Sequence, residues 1–208
     1  MYRSQWDLTS PALSRNIDLL LRIAPYSVQL PLINKIRDGR SFLFMDRRHG
    51  KTFAALVAVA EFGLQCSFMP QDRGPRILMV LPTEDAIHDA AAYLRVILAG
   101  TRVKYSTDKD RYQDQVRSDI ILGRPRELAD LVLQSQFPIS ALELCIVDAA
   151  EVLDSLAMGY IKEIVQCPRY PPPGDHSQFV MIGSENLMRL EFFAHVYCER
   201  IEEWKLPE

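Results

Sequence analysis

The sequence is short of the features that define several large protein classes. It has no excess of charge of either sign: 24 Lys and Arg stand against 27 Asp and Glu, a formal net charge of −3. No global basic field therefore recruits nucleic acid, and any such contact must come from a local patch. The four cysteines, Cys66, Cys145, Cys167 and Cys198, show no paired metal-ligand spacing. Cys145 lies inside an apolar run, where a reduced thiol behaves as a small hydrophobe. No apolar run approaches the ~20 residues that cross a bilayer, and Met1 is not followed by a basic-then-apolar leader. These absences predict a protein of a reducing compartment, cytoplasmic by default, with no membrane partner. Glycine is also scarce, at nine residues, and one stretch feels that scarcity more than any other.

That stretch runs Ser41-Phe42-Leu43-Phe44-Met45-Asp46-Arg47-Arg48-His49-Gly50-Lys51-Thr52. It reads as an apolar strand, a tight loop and a helix opened by Lys51 and Thr52. Gly-Lys-Thr at such a helix start is half of a phosphate-binding loop, in which backbone N–H groups cradle phosphates, Lys pairs with their oxygens and the Thr hydroxyl ligates Mg²⁺. The glycine that begins the usual loop is replaced by Met45, and the glycine of helicase-type loops by Arg48. The cation and the hydroxyl remain; the glycines do not.

With 48% hydrophobic and 25% charged residues, the 208-residue chain has room for one domain with a substantial core. Ser10 and Pro11 mark a helix start. A second amphipathic helix carries Leu32, Ile33 and Ile36 and ends at Asp38-Gly39. Further strands are predicted at residues 75–81, near Val103, and at 119–122, 142–147, 178–182 and 196–201. Helices are predicted from Thr83 through Ile97, over 125–134, from about 149 to 165, and over 187–195. The charged segment 108–114 reads as a solvated loop or short helix, and His88 and His195 as bland helical positions. Continuous Val, Ile and Leu strands, each followed by an amphipathic helix, predict an α/β fold whose parallel sheet is covered on both faces. Gly50-Lys51-Thr52, Asp148 and Ser184 fall at or just after strand ends, where such sheets bind ligands.

The landmarks come in one order: Pro25 to Gln29, the Gly-Lys-Thr loop, Pro82-Thr83, Pro125 with Asp130, Val147-Asp148, then Gly183-Ser184-Glu185. This order resembles the N-terminal RecA-like domain of DEAD-box RNA helicases, over nearly the whole chain from about residue 10. The resemblance implies a RecA-like parallel sheet of the P-loop NTPase type, with residues 1–208 as one domain and 1–24 as a flanking helix. It implies ATP and Mg²⁺ as cofactors. Gln29 would read adenine, Arg48, His49, Gly50, Lys51 and Thr52 would face the nucleotide, and Thr52 and Asp148 would hold the metal. Pro82, Thr83, Arg124, Pro125 and Arg126 match RNA-facing positions, so single-stranded RNA is an implied partner. A C-terminal RecA-like domain of the same protein is another, and 208 residues leave no room for it; the chain is expected to be a fragment or a solitary domain.

The departures are equally specific. The Asp-Glu-Ala-Asp signature is Asp148-Ala149-Ala150-Glu151. Ala149 replaces the Glu that activates water in the family, a role worth ~10²–10⁴-fold in rate, and Glu151 keeps a carboxylate at longer reach. Ser-Ala-Thr becomes Gly183-Ser184-Glu185, an RNA-facing Arg becomes Glu84, and the family's double glycine has no counterpart in residues 106–117. Arg47, Arg48 and His49 read either as a loop released from nucleotide or as cations offered to a phosphate; Arg124 and Arg126 read either as a solvated helix start or as phosphate contacts. The leading expectation is a degenerate helicase domain that binds RNA or protein without turnover, of the kind found in Tudor-domain-containing proteins of piRNA-pathway germline granules. An active helicase needing its second domain is the alternative. A small P-loop kinase, with Arg111 and Arg117 as lid residues, leaves Gln29 unexplained.

Overall fold

A computed structural model of the chain describes residues 6, 8, 10–21, 24–66, 74–134, 137–171, 177–184, 190–193 and 202–204. The elements, in chain order, are α1 (Pro11–Leu21), α2 (Gln29–Arg37), β1 (Phe42–Met45), α3 (Lys51–Cys66), β2 (Ile77–Val80), α4 (Glu84–Ile97), β3 (Tyr105–Thr107) and α5 (Tyr112–Val116). They continue with β4 (Ile120–Gly123), α6 (Pro125–Leu133), β5 (Leu144–Val147), a 3₁₀ turn (Ala150–Val152), α7 (Ser155–Gln166), β6 (Gln178–Gly183) and β7 (Glu202–Trp204).

The strands form one seven-stranded sheet in the order β3-β4-β2-β5-β6-β1-β7, and every adjacent pair is parallel. Side chains of a strand alternate between its faces, and this alternation sorts the apolar runs into two cores. Phe42, Phe44, Ile77, Met79, Ile120, Leu122, Ile146 and Val180 pack with α1 to α4 on one face. Leu43, Met45, Leu78, Val80, Ile121, Cys145, Val147 and Met181 pack with α6 and α7 on the other. A strand apolar at every position is what burial on both faces requires. The Cys145 thiol lies fully inside, and burial pushes its pKa up to about 12; Cys145 and Cys167 are both unbridged.

Local chemistry sets the helix ends. Ser10 Oγ accepts from the Leu13 N–H at the start of α1, and Thr83 Oγ1 accepts from Ala86 N–H at the start of α4. The far end of α4 is closed from outside: Asn16 Nδ2 of α1 donates to the carbonyls of Ile97 and Ala99, both at 2.9 Å. Trp6 is buried with its ring edge-on to Phe53 at 5.6 Å.

Three expectations need correction. The helix predicted from about 149 to 165 is two pieces: the 3₁₀ turn ends at Leu153, and Asp154 caps a new helix by accepting from Ala157 N–H at 2.7 Å. An extended cap residue cannot continue a helix, so the chain must break there. The strand near Val103 begins two residues later, at Tyr105. The charged segment is not wholly solvated, because the Asp108 side chain is almost fully buried. The last described strand is Glu202–Trp204; residues 196–201, like His195 and most of the predicted helix 187–195, lie outside the described residues, which show that helix only at 190–193.

Candidate nucleotide and nucleic-acid site

In a parallel sheet the carboxyl ends of all strands point the same way, and the helices that follow begin there. Register puts Met45 opposite Gly183 and Val147 opposite Met181, so the ends of β1, β5 and β6 converge on one edge. Lys51 and Thr52 stand at the first turn of α3 on that edge. Thr52 Oγ1 donates to Asp148 Oδ2 at 2.6 Å, across 96 residues of sequence. Asp148 is only 3% exposed, and burial raises its carboxyl pKa against the opposing bonds from Thr52 and the Ala149 N–H. A hydroxyl and a buried carboxylate converging as hard oxygen donors suit Mg²⁺, which takes few protein ligands and completes its shell with water and phosphate. Thr52 and Asp148 would hold that ion, which would neutralise charge on a bound phosphate.

The loop between β1 and α3 is closed on itself. Lys51 Nζ donates to the Arg48 carbonyl at 2.7 Å. Burial lowers the Lys51 pKa, opposed by the nearby Asp46, Glu151 and Asp148 carboxylates. Arg48 is exposed but turns back along the loop: its Nε donates to Asp46 Oδ1 at 2.9 Å and Oδ2 at 3.0 Å, and its backbone N–H donates to Oδ1 at 2.8 Å. This pairing holds the Asp46 carboxyl below the usual range. His49 is exposed.

Gln29, the adenine-reading candidate, is buried and turned toward the loop. Its Oε1 accepts from Tyr26 N–H at 2.8 Å and its Nε2 donates to the Gly50 carbonyl at 3.2 Å. Gly50 has φ +90, and a Cβ there would lie 2.7 Å from Gln29 Nε2 and 3.0 Å from the Tyr26 ring. Glycine is therefore needed at 50 for both its backbone angles and its neighbours.

Ala149 carries φ 50, the only positive φ at a non-glycine among the described residues. It aims the chain from β5 into the 3₁₀ turn, and Glu151 projects back so that its Oε2 lies 3.2 Å from where a Cβ of Gly183 would be. The retained carboxylate thus reaches the end of β6, close enough for its charge to act on both Asp148 and Lys51.

The RNA-facing candidates gather on the same edge, around the starts of α4 and α6. Pro82 is half-buried and Thr83 is spent on its cap. Glu84 forms an ion pair with Lys109. Arg124 is held by Asp108, its N–H and Nε donating to Oδ2 at 3.1 and 3.0 Å, and by Glu127 at 2.9 Å. Pro125 is buried at the first turn of α6. Arg126 is 69% exposed and only 3.9 Å from Asp130. Of the two cations, Arg126 is the one presented to solvent. No cluster of three or more His, Cys, Asp or Glu that could hold a metal occurs among the described residues.

A protein-family model described as DEAD/DEAH box helicase matches residues 26–184. The chain belongs to the DEAD/DEAH box helicase family. Among solved structures, this DEAD-box domain is similar to a DEAD box protein from the hyperthermophile Methanococcus jannaschii, with a TM-score of 0.77 and 15% identity over 97% of this chain and 55% of that one. It is also similar to a variant of S. cerevisiae Dbp5 bound to Nup159, Gle1, IP6 and ADP, with a TM-score of 0.80 and 14% identity over 96% of this chain and 52% of that one. At such identities the likeness is one of fold, and this DEAD-box chain spans about half the length of both. No curated protein matches the chain.

Reasoning from the sequence missed Asp46, Tyr26 and Asp108, which hold the loop and the rim of the DEAD-box site together. Asp46 carried a readable signal: an Asp two residues before a loop N–H is a common Asx turn. Asp108 carried none, since its partner Arg124 lies 16 residues away.

Proposed function

We propose that this DEAD-box domain works as a binding scaffold for RNA or protein, with ATP hydrolysis lost. Ala149 carries the reading. The position following the metal-holding aspartate has no side chain able to activate water, and the carboxylate two residues on, Glu151, approaches Gly183 at the end of β6. Ion pairing within the rim supports weak RNA affinity for the domain alone, because single strands bind mainly through cations presented to phosphate. Glu84 with Lys109 and Arg124 with Asp108 are pairs already made. A second RecA-like domain of the same protein and the protein components of an RNA-silencing complex are the proposed partners. The parent is proposed to be a Tudor-domain-containing protein of piRNA granules in the cytoplasm, a placement supported by the degeneracy of the motifs alone.

A specific observation favours one other reading, an active RNA helicase that needs its second domain. The Thr52–Asp148 pair is intact, and Glu151 acts electrostatically on both Asp148 and Lys51. ATP turnover in the presence of RNA, measured on the chain together with its second RecA-like domain, separates the two readings. The scaffold predicts none above background for the wild type. Turnover that is present and disappears in Glu151→Gln supports the helicase instead.

A further inference from the structure

Arg48 stands where helicase-type loops have glycine, and its bulk is the obvious obstacle to a phosphate. The geometry points elsewhere: we propose that Asp46 decides whether this loop accepts a phosphate, because its carboxylate already occupies the loop as a built-in anion. The inference deepens the reading of residues 45–52 as a nucleotide loop and depends on that reading.

Three observations carry it. The first is what Asp46 accepts. A phosphate in such a loop takes backbone N–H groups and cationic side chains; here the Arg48 N–H and its guanidinium both donate to Asp46. Both donors lie within a two-residue span, so the closure loses little chain entropy; the guanidinium is itself 43% exposed, so its ion pair is screened by solvent.

The second observation is that the carboxylate is anchored. The Asp46 N–H donates to the Gly183 carbonyl at 3.1 Å, extending the β1–β6 ladder by one bond. The side chain therefore leaves from a sheet-fixed backbone rather than from a drifting loop, and it is only 10% exposed. The third is that the lysine is turned inward. Lys51 Nζ donates to the Arg48 carbonyl, inside the turn that Asp46 closes, and feels the Asp46 charge. An incoming phosphate must break the Asp46–Arg48 contacts, recover Lys51 from the Arg48 carbonyl and approach a fixed negative charge. Removing the carboxylate lifts the first and the last of these: it frees the N–H, converts Arg48 from a partner into an available cation, and removes the repulsion.

The test is a titration of the full chain with a fluorescent ADP analogue and Mg²⁺, comparing wild type with Asp46→Ala, Asp46→Asn and Arg48→Gly. Expected are at least about tenfold tighter binding for Asp46→Ala, a change of ~1.4 kcal/mol, and little or no gain for Arg48→Gly, which leaves the carboxylate in place without its counter-ion. Asp46→Asn can keep the turn while losing the charge, so it is expected to fall between wild type and Asp46→Ala. It serves as the deciding variant should Asp46→Ala fail to fold by circular dichroism. Tightening by Arg48→Gly with none by the Asp46 variants overturns the proposal and restores steric exclusion by arginine. Equal or weaker binding by every folded Asp46 variant, including no detectable binding, also overturns it. ATP turnover measured on the same samples reports separately on the scaffold reading: turnover in wild type defeats that reading without touching the role of Asp46.

Discussion

Asp148 holds a carboxylate that is nearly cut off from water at the end of β5, with Thr52 and the Ala149 N–H as its compensating donors. Burial is the largest influence and raises its folded pKa above the ordinary 3.8. The sign follows from proton counts. Between 3.8 and the raised folded value the native state binds more protons than the unfolded state, so stability falls as pH rises through that window. The penalty is complete above the folded pKa and absent well below 3.8. Asp148→Asn keeps an acceptor for Thr52 and removes the charge. Its thermal midpoint without metal is expected to exceed that of wild type at pH 7, with the difference closing as the pH approaches 3.8; a constant difference across that range defeats the account. A site that costs stability when empty of cations is common where function rather than folding shaped the residue.

Where elements meet, a few side chains do the joining. Asp154 separates the 3₁₀ turn from α7 and caps the helix. Asp154→Ala is expected to cost ~1 kcal/mol in urea unfolding, the usual value of such a cap. Arg124 ties the start of α6 to the turn after β3 through Asp108, whose side chain is 1% exposed. Removing one partner of a buried pair leaves the other charge stranded. Arg124 is itself one-third exposed, so Arg124→Ala is expected to cost ~2 kcal/mol, below the fully buried range. Arg126→Ala should stay within ~0.5 kcal/mol, while reducing whatever affinity for single-stranded RNA the domain has and its salt dependence. Equal destabilisation by the two would contradict the assignment of Arg124 to structure and Arg126 to solvent.

At the scale of the molecule, β1 sits between β6 and β7, so the strand that leads into the loop before α3 is interior only because the last described strand covers it. Deleting residues 185–208 removes β7 together with the buried Leu190 and Phe193. The loss is expected to reach roughly 3 kcal/mol or more from the two side chains. The edge of Phe42-Leu43-Phe44-Met45 would be left open to pair with another chain, a change size-exclusion chromatography would report as aggregates. Unchanged elution and an unchanged urea midpoint would rule this out. Among the described residues no helix is long and apolar enough to cross a membrane. Most of this architecture was legible in the chain itself. Runs such as Ile77-Leu78-Met79-Val80 and Leu144-Cys145-Ile146-Val147 state that both their faces are buried, and the caps at Ser10 and Thr83 state where helices begin, because these are interactions between residues close in sequence. The order of motifs likewise carried the family, and Ala149 the missing acid. Tertiary structure alone decided that Gln29 faces Gly50 and that Arg124 belongs to Asp108. Those choices depend on which backbone fixes a side chain and which partner arrives from a distant segment, and neither is encoded in local spacing.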